Sequence, residues 1–235
     1  MLKKPPRMKH ISVLSRNMLR LYVIFAALSA HAQTQTRYNQ PATVDWLVTP
    51  VTQKAEVITE GKNIILYNGL VKRVFRIEPN VVCIDYKNLS NGQQLLRAVK
   101  PEARIVVNGK TYNIGGLMGQ KENAYLLPEW VDKLTIGKDD FVATGHSVSD
   151  IKPFVNWKAN SWAATQKGPS GKVLTFRYKA QDEAVKGLEV TVNYELYDGI
   201  PLIVKWVSVE NKQNAELKLN RVVNEVLALV EEESA

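Results

Sequence analysis

The clearest alternation of apolar and polar positions in the chain runs from Gly187 to Asn211. Asp198-Gly199 lies at its centre, and this dipeptide favours a tight type I′ turn between antiparallel strands. We therefore predict a hairpin in which Tyr197 faces Ile200. Its inward face consists of the pairs Leu196/Pro201, Tyr194/Ile203, Val192/Lys205, Val190/Val207 and Leu188/Val209. Only Lys205 interrupts the apolar character of these pairs, so this face is expected to lie in the core.

The second strand of this hairpin is apolar on its other face as well. Ile200, Leu202, Val204 and Trp206 alternate with the inward residues. Because a contiguous apolar row is rarely left in water, we expect another layer of the protein to cover it. The hairpin therefore predicts a sandwich of packed sheets.

Short alternating runs separated by turn dipeptides recur along most of the remaining chain. Gly61-Lys62, Asn68-Gly69 and Asn108-Gly109 are the clearest turns, and the last of them places Ile105 opposite Tyr112. The predicted strands are Val57–Glu60, Asn63–Tyr67, Leu70–Ile77, Val81–Tyr86, Arg104–Val107, Lys110–Ile114 and Lys172–Lys179. This pattern is typical of an all-β antiparallel fold.

Two stretches interrupt the alternation. Gly115–Ser170 is rich in glycine, proline, tryptophan and polar residues, and Lys133–Ile136 gives only a weak strand signal. Long irregular insertions on a β scaffold often make functional contacts. Asn214–Ala235 begins as a strand, but its apolar residues from Val222 onward fit one side of a helix and a buried strand equally well. Such an element suggests packing against another domain, or a longer protein that is cut short.

The first 32 residues have the order of a secretory signal peptide. A basic region without acidic residues precedes the apolar run Leu19–Ala30, and Ala30-His31-Ala32 provides a cleavage pattern before Gln33. The run has about half of the ~20 residues that span a bilayer, so we expect cleavage rather than a stable membrane anchor. The lack of a cysteine just after it argues against a lipid anchor. The chain is expected to be secreted or periplasmic in a bacterium.

The predicted organisation of the chain has four parts. Residues 1–32 are the signal peptide, residues 33–43 a flexible N-terminus, residues 44–230 the β-sandwich domain, and residues 231–235 a linker or truncated C-terminus. About 200 mature residues are enough to bury a substantial core.

The net charge comes mostly from the signal segment. The whole sequence has 31 Lys+Arg against 23 Asp+Glu, a formal charge of +8. Residues 1–32 contain 6 basic and 0 acidic residues, so the remainder has 25 against 23, or +2. Without a basic cluster in the mature part, nucleic acid and anionic membranes are not expected partners.

The candidate nucleophiles and ligands do not form a catalytic pattern. His146 could be combined with Ser147 or Ser149 and Asp150, but a triad needs a defined geometry rather than adjacency, and we interpret His146 as a loop residue. The predicted mature part has one histidine and one cysteine, Cys83, which cannot supply an ordinary zinc site. The sequence predicts neither a metal nor a cofactor, and Cys83 is interpreted as a small buried apolar residue.

Two further patterns are given structural interpretations. Gly115-Gly116 and Gly119 lack the spacing of a phosphate-binding loop and are assigned to a turn. The carboxylate pairs Glu129/Asp132 and Asp139/Asp140 could serve glycoside hydrolysis in principle, but we interpret them as solvated loop charges. We therefore predict no catalytic residue.

Aromatic residues cluster in the irregular region, at Trp130, Phe154, Trp157 and Trp162. Flat aromatic faces suit the apolar faces of sugar rings. Trp157 and Trp162 lie in a polar, Asn/Lys-rich stretch and are the predicted carbohydrate contacts. The alternative is that these side chains close the open end of the sandwich.

Three stretches of the sequence together resemble a known family. They are NGLVKRVFRIEPN (Asn68–Asn80), LLRAVKPEARIVVNGKTYNIGGL (Leu95–Leu117) and YELYDGIPLIVKWVSVEN (Tyr194–Asn211). They resemble the N-terminal β-supersandwich domain of glycoside hydrolase family 36, the α-galactosidase-like enzymes of the galactose-mutarotase-like superfamily. FVNWKANSW (154–162) is similar to a tryptophan-bearing segment of secreted relatives. The resemblance implies an antiparallel β-supersandwich of two or more large packed sheets.

The resemblance also implies a supporting role. In that family a catalytic (β/α)₈ barrel follows the sandwich and supplies both catalytic carboxylates, so no position here inherits them. The implied function is a non-catalytic sandwich domain of an exported α-galactosidase-like hydrolase, with a downstream barrel and a galactoside-type carbohydrate as partners. One alternative is a free-standing secreted carbohydrate-binding sandwich. A mutarotase-type epimerase is disfavoured, because it needs a histidine acid and a carboxylate base in one cleft.

Overall fold

The computed structural model of the protein describes residues 38–42, 45–152 and 168–231. The chain divides into two units, Met1–Gln40 and Pro41–Ala235. The first is described only at residues 38–40, which form a turn. Within the described residues, the second contains strands β1–β14 and two short 3₁₀ helices, Pro128–Lys133 and Glu183–Val185.

The strand bounds follow the chain in order. They are β1 (Glu56–Glu60), β2 (Asn63–Tyr67), β3 (Val71–Arg76), β4 (Val82–Asn88), β5 (Gln93–Gln94), β6 (Leu96–Ala98), β7 (Ala103–Val107), β8 (Lys110–Ile114), β9 (Val142–Asp150), β10 (Gly171–Lys179), β11 (Leu188–Tyr197), β12 (Ile203–Asn211), β13 (Leu219–Val223) and β14 (Ala228–Leu229). Neither described helix is long and apolar enough to cross a bilayer.

The strands form four antiparallel sheets. The orders are β1-β2-β3-β4-β5, β12-β11-β10-β9, β13-β7-β8 and β14-β6. Strands make up 48% of the structure and helices 5%, which confirms the prediction of an all-β antiparallel sandwich. The turn assignments at Gly61-Lys62 and Asn108-Gly109 are also confirmed, as is the pairing of Ile105 with Tyr112.

The core lies between the five-stranded and four-stranded sheets. Phe75 of β3 packs against Phe176 of β10 and Tyr194 of β11, with ring centroids 5.2 and 4.9 Å apart. Ile105 of β7 and Ile114 of β8 are fully buried in the same cluster. Aromatic pairs at this separation contribute about 0.5–1.5 kcal/mol to stability beyond the effect of burying their surface area. These contacts therefore stabilise the packing of the two sheets.

The β11–β12 hairpin has the predicted inward face but not the predicted register. The apolar face of β11 is buried, from Leu188 to Leu196. However, Leu196 pairs with Ile203 rather than with Pro201, a shift of two residues that leaves the same faces inward. Only Gly199 of the Asp198-Gly199 pair has a positive φ, at 73°, so the turn is not type I′ and the loop is longer than two residues.

Tertiary contacts explain the longer loop. The buried amide of Asn68 donates to the main-chain oxygens of Tyr197 (2.8 Å) and Ile200 (2.7 Å). The carboxylate of Asp198 accepts from the N–H of Ala55 at 2.8 Å and from the hydroxyl of Ser170 at 2.7 Å. These hydrogen bonds use the carbonyls of Tyr197 and Ile200 and the carboxylate of Asp198 in the conformation of the longer loop, which they therefore stabilise over a two-residue turn. The longer loop also removes Pro201, which has no N–H, from the ladder.

The outer face of β12 does not match the expectation of a covering layer. Ile200, Leu202 and Val204 remain 37, 45 and 37% exposed. Trp206 is half-buried. β12 is an edge strand of its sheet, and Ile200, Leu202 and Val204 lie in or next to the hairpin loop that precedes it. The prediction of burial is therefore wrong for these three residues.

The structure also decides the conformation of parts of the two stretches that interrupt the alternation in the sequence. Residues 142–150 of the supposedly irregular region form β9, a nine-residue strand paired with β10. An edge strand needs only one partner and carries polar residues readily, which is why its pattern was not recognised. In the C-terminal part, the described residues form β13 and β14 rather than a helix, so the strand alternative is correct there, but its expected burial is not, since Val222 and Leu229 are 44 and 47% exposed.

We predict that Asn68→Ala lowers the free energy of unfolding by about 2–3 kcal/mol, since it removes the partners of two carbonyls and of the N–H groups of Leu70 and Val71. Urea unfolding measures the change. Asn91→Ala is the control, because the Asn91 side chain bonds only within its own exposed turn. Equal stability of the two variants would contradict the anchoring role.

Candidate functional site

The predicted carbohydrate contacts Trp157 and Trp162, with Phe154, lie outside the described residues. Trp130 is in the first 3₁₀ helix, half-buried, with the ammonium of Lys121 5.6 Å from its ring centroid. At this distance a cation–π contact contributes about 0.5–1 kcal/mol on a surface. The sugar-binding prediction therefore stays a prediction.

The structure does not assemble a triad around His146. The histidine lies in β9 rather than in a loop, which corrects the sequence interpretation. Because side chains alternate along a strand, Ser147 and Ser149 point to the opposite face, and Asp150 lies about 13 Å further along. The hydroxyl of Ser147 instead accepts a hydrogen bond from Arg177 at 3.0 Å. A serine–histidine attack geometry is excluded for these residues.

The carboxylate pairs singled out in the sequence have separate structural roles. Asp132 pairs with an arginine of β3 at 3.2 Å, Glu129 is exposed, and Asp139 pairs with Lys110 at 2.8 Å. Asp140 is buried, where it accepts from an asparagine amide and a backbone N–H, so its interpretation as a solvated charge is wrong. The members of each pair therefore have different surroundings, which does not favour a hydrolytic role for either pair.

Gly115 and Gly116 have a conformational role, in agreement with their assignment to a turn rather than to a phosphate-binding loop. Gly115 and Gly116 have φ values of 66° and 87°, and a Cβ at either would lie 2.7 Å from a main-chain atom. Glycine is required at both positions for conformation and for space.

The most unusual feature among the described residues is a group of charges in the sandwich core, which we call the Arg73 cluster. It consists of Arg73 on β3, Glu102 before β7, Tyr194 on β11, Lys205 on β12 and Glu225 between β13 and β14. Five separate parts of the chain therefore contribute one polar side chain each. Buried charges occur in proteins only when they are paired, and such groups are found both at functional sites and in structural networks.

Arg73 is the centre of the cluster. Its Nη1 and Nη2 donate to the two carboxylate oxygens of Glu225 at 3.1 and 3.4 Å, and Nη2 lies 3.6 Å from Oε2 of Glu102. The guanidinium also stacks on the rings of Tyr194 (4.8 Å) and Tyr86 (5.2 Å). A planar fork between aromatic faces is a geometry that arginine provides and lysine does not.

Glu102 and Lys205 complete the network. Glu102 accepts from the N–H of Cys83 at 2.8 Å through Oε1 and from the hydroxyl of Tyr194 through Oε2. Lys205 donates to the main-chain oxygen of Glu102 and, at 2.9 Å, to Oε1 of Glu225. Each of the four carboxylate oxygens in the cluster therefore has a donor.

The pKa shifts of Lys205 and Glu225 reflect how deeply each side chain is buried. Burial lowers the pKa of Lys205, and attraction to Glu102 and Glu225 offsets this only in part. Burial also opposes the charge on Glu225, but the nearby Arg73 and Lys205 outweigh it and lower the pKa of the carboxyl. The difference arises because the side chain of Lys205 is 6% exposed and that of Glu225 is 32% exposed.

The neighbouring cysteine and tyrosine are kept neutral. Cys83 is 3% exposed, which confirms its interpretation as a small buried apolar residue, and burial raises the pKa of its thiol to about 12. Burial, reinforced by Glu102, raises the pKa of Tyr194, so its hydroxyl remains a hydrogen-bond donor. The cluster can hold charge in the core, but it offers no free acid, base or nucleophile.

The sequence contained a partial signal for this cluster. Lys205 is the one polar residue on the predicted inward face of the hairpin. Arg73 lies within the predicted strand Leu70–Ile77 and Glu102 just before the predicted strand Arg104–Val107, but sequence alone cannot reveal that they meet. Within the described part of the chain, no group of three or more His, Cys, Asp or Glu is placed to hold a metal ion.

Comparison with known proteins gives no assignment for this site. No family model matches the chain, and no curated protein matches it.

We predict that the stabilisation due to the Glu225 charge depends on pH. The folded state lowers the pKa of Glu225, so its contribution is fully present above the ordinary value of 4.5 and is lost as pH falls through the lower folded value. The difference in free energy of unfolding between the wild type and Glu225→Gln should therefore shrink from pH 5 to lower pH. Urea unfolding across this range measures it, and a constant difference from pH 7 to pH 3 would contradict the assignment.

Proposed function

We propose that the chain is a non-catalytic β-sandwich domain of an exported α-galactosidase-like glycoside hydrolase, which supports a carbohydrate site. The catalytic barrel would be supplied by a separate domain. The proposal rests on the resemblance to glycoside hydrolase family 36 and on the place of the resembling residues in the fold.

The observation that carries the proposal is the convergence of the three resembling stretches on the Arg73 cluster. Asn68–Asn80 contributes Arg73, and Leu95–Leu117 contributes Glu102. Tyr194–Asn211 contributes Tyr194 and Lys205. The same stretches contribute Asn68, which anchors the hairpin loop. Residues with these roles hold a scaffold together, which favours a supporting domain over an enzyme.

The state of the buried carboxylates supports the same proposal. Glycoside hydrolysis needs an acid and a base or nucleophile about 5–9.5 Å apart on the two sides of the scissile bond. Glu102 and Glu225 are instead both held by Arg73, with 3.6 and 3.1 Å as the shortest distances to its guanidinium. Both are paired with donors of the chain itself rather than placed on two sides of a cleft, so the cluster argues for structure rather than turnover.

Exposed apolar side chains on the C-terminal strands favour a domain partner. Leu219 and Val222 on β13 are 47 and 44% exposed, and Leu229 on β14 is 47% exposed. Large apolar side chains left exposed on strands are candidates for contact with a partner. Under this proposal the barrel would cover some of these side chains, and Trp157 and Trp162 would contact sugar.

We expect the chain alone to hydrolyse no glycoside. The test compares the secreted chain with the product of its complete gene on aryl α- and β-galactosides. Turnover by the complete product only would support the supporting role. Turnover by the chain alone, abolished by a change at one carboxylate, would overturn it.

Calorimetric titration with galacto-oligosaccharides tests the carbohydrate part of the proposal in the same preparations. Binding by the chain alone that is weakened by Trp157→Ala or Trp162→Ala, but not by Trp130→Ala, would favour the free-standing carbohydrate-binding protein. Absence of binding by both the chain and the complete product would exclude a galactoside as the ligand.

A further inference from the structure

Glu225 differs from the other charged members of the Arg73 cluster in its solvent exposure and in its position in the chain. The side chains of Arg73, Glu102 and Lys205 are 3, 1 and 6% exposed, whereas that of Glu225 is 32% exposed. Glu225 also lies in the segment that joins β13 to β14 and forms no strand itself. Its carboxylate therefore covers two buried cations and is reached by solvent from outside.

The donors that bind this carboxylate are positioned by other groups. The guanidinium of Arg73 contacts the rings of Tyr194 and Tyr86, at 4.8 and 5.2 Å from their centroids, and the ammonium of Lys205 donates to the main-chain oxygen of Glu102. Both cations would therefore keep their orientation if the Glu225 carboxylate were removed.

The segment that carries Glu225 has attachments of its own. The amide of Asn224 donates to the main-chain oxygen of Lys205 at 3.0 Å, and β13 and β14 pair with β7 and β6. Loss of one carboxylate would therefore leave a solvent-connected gap rather than a detached segment.

The charges in the cluster require an anion in this position. With Glu225 present, two cations face two carboxylates; without it, Arg73 and Lys205 face only Glu102. An uncompensated cation in the core is costly, and it is relieved by any anion that fits. The parallel donors of Arg73 at 3.1 and 3.4 Å, with Lys205 at 2.9 Å, match the two oxygens of a planar carboxylate better than a spherical halide.

We propose that Arg73 and Lys205 form a preorganised carboxylate-binding site, which Glu225 occupies from within the chain and which a free carboxylate can occupy in its place. The site takes small planar carboxylates, of which formate and acetate are the simplest. This inference does not depend on the proposed function.

The experiment is chemical rescue of Glu225→Ala in the full chain. In sodium chloride, we expect the midpoint of thermal unfolding to fall by about 5–10 °C relative to the wild type, since one side of a largely buried ion pair is lost. Formate or acetate at the same ionic strength should restore at least half of this loss, with a saturable concentration dependence. Recovery no greater than in chloride would overturn the proposal.

Two control variants separate the site from general effects of the salts. Glu189 is 31% exposed and pairs with Lys212 and Lys179, but these lysines are themselves 49 and 59% exposed. Glu189→Ala should therefore show little loss and no carboxylate-dependent recovery. Glu225→Gln leaves no gap, so it should be destabilised without being rescued by formate. Equal recovery in all variants and in the wild type would overturn the proposal.

If Glu225→Ala does not fold in chloride, refolding yield provides the readout. The denatured full chain is diluted into formate and into chloride at equal ionic strength. A several-fold higher soluble yield in formate, absent for Glu225→Gln, would support the site. Equal yields would overturn it.

Discussion

The charge on Arg73 is the constraint on which the rest of the core depends. A guanidinium that is 3% exposed can remain in a sandwich interior only if carboxylates and aromatic faces surround it. Those groups come from β4, β11, the residue before β7 and the segment between β13 and β14. The charge of Arg73 is therefore compensated only when these distant parts of the chain are all in place. A single ion network links the five-stranded and four-stranded sheets to the segments before β7 and between β13 and β14, in addition to their apolar contacts.

A second polar anchor lies at the turn end of the sandwich. Asn68 and Asp198 connect the loop of the β11–β12 hairpin to the β2–β3 connection and to Ala55. Both anchors cost free energy if one partner is missing, because the remaining groups stay buried. The sandwich thus combines an apolar core, which is tolerant of small changes in packing, with polar contacts that allow only one register.

The two polar anchors pair their buried polar groups with other groups of the chain, so function is expected to depend on the surface. The buried carboxylates are committed to arginine, lysine, tyrosine and backbone donors, so the interior offers rigidity rather than chemistry. The surface offers apolar side chains at the C-terminal strands, a polar edge strand that contains His146, and carboxylate Glu225 above its two cations. A domain of this kind acts by presenting a fixed surface, and the proposed role as a support for a carbohydrate-active partner is consistent with that.

The sequence by itself determined the class of the fold and much of its local structure. Alternating side chains and Gly- or Asn-Gly turns identified β1, β2, β7, β8, β10 and β11, because these signals depend on neighbours a few residues away. It also identified Cys83 as buried and the inward face of β11 as apolar. Only the tertiary structure decided the hairpin register, since Asn68 and Asp198 act across more than a hundred residues. The same holds for β9, which takes its conformation from pairing with β10, and for the Arg73 cluster. A charge on a strand is compatible with water or with a partner, and only folding brings the partner to it.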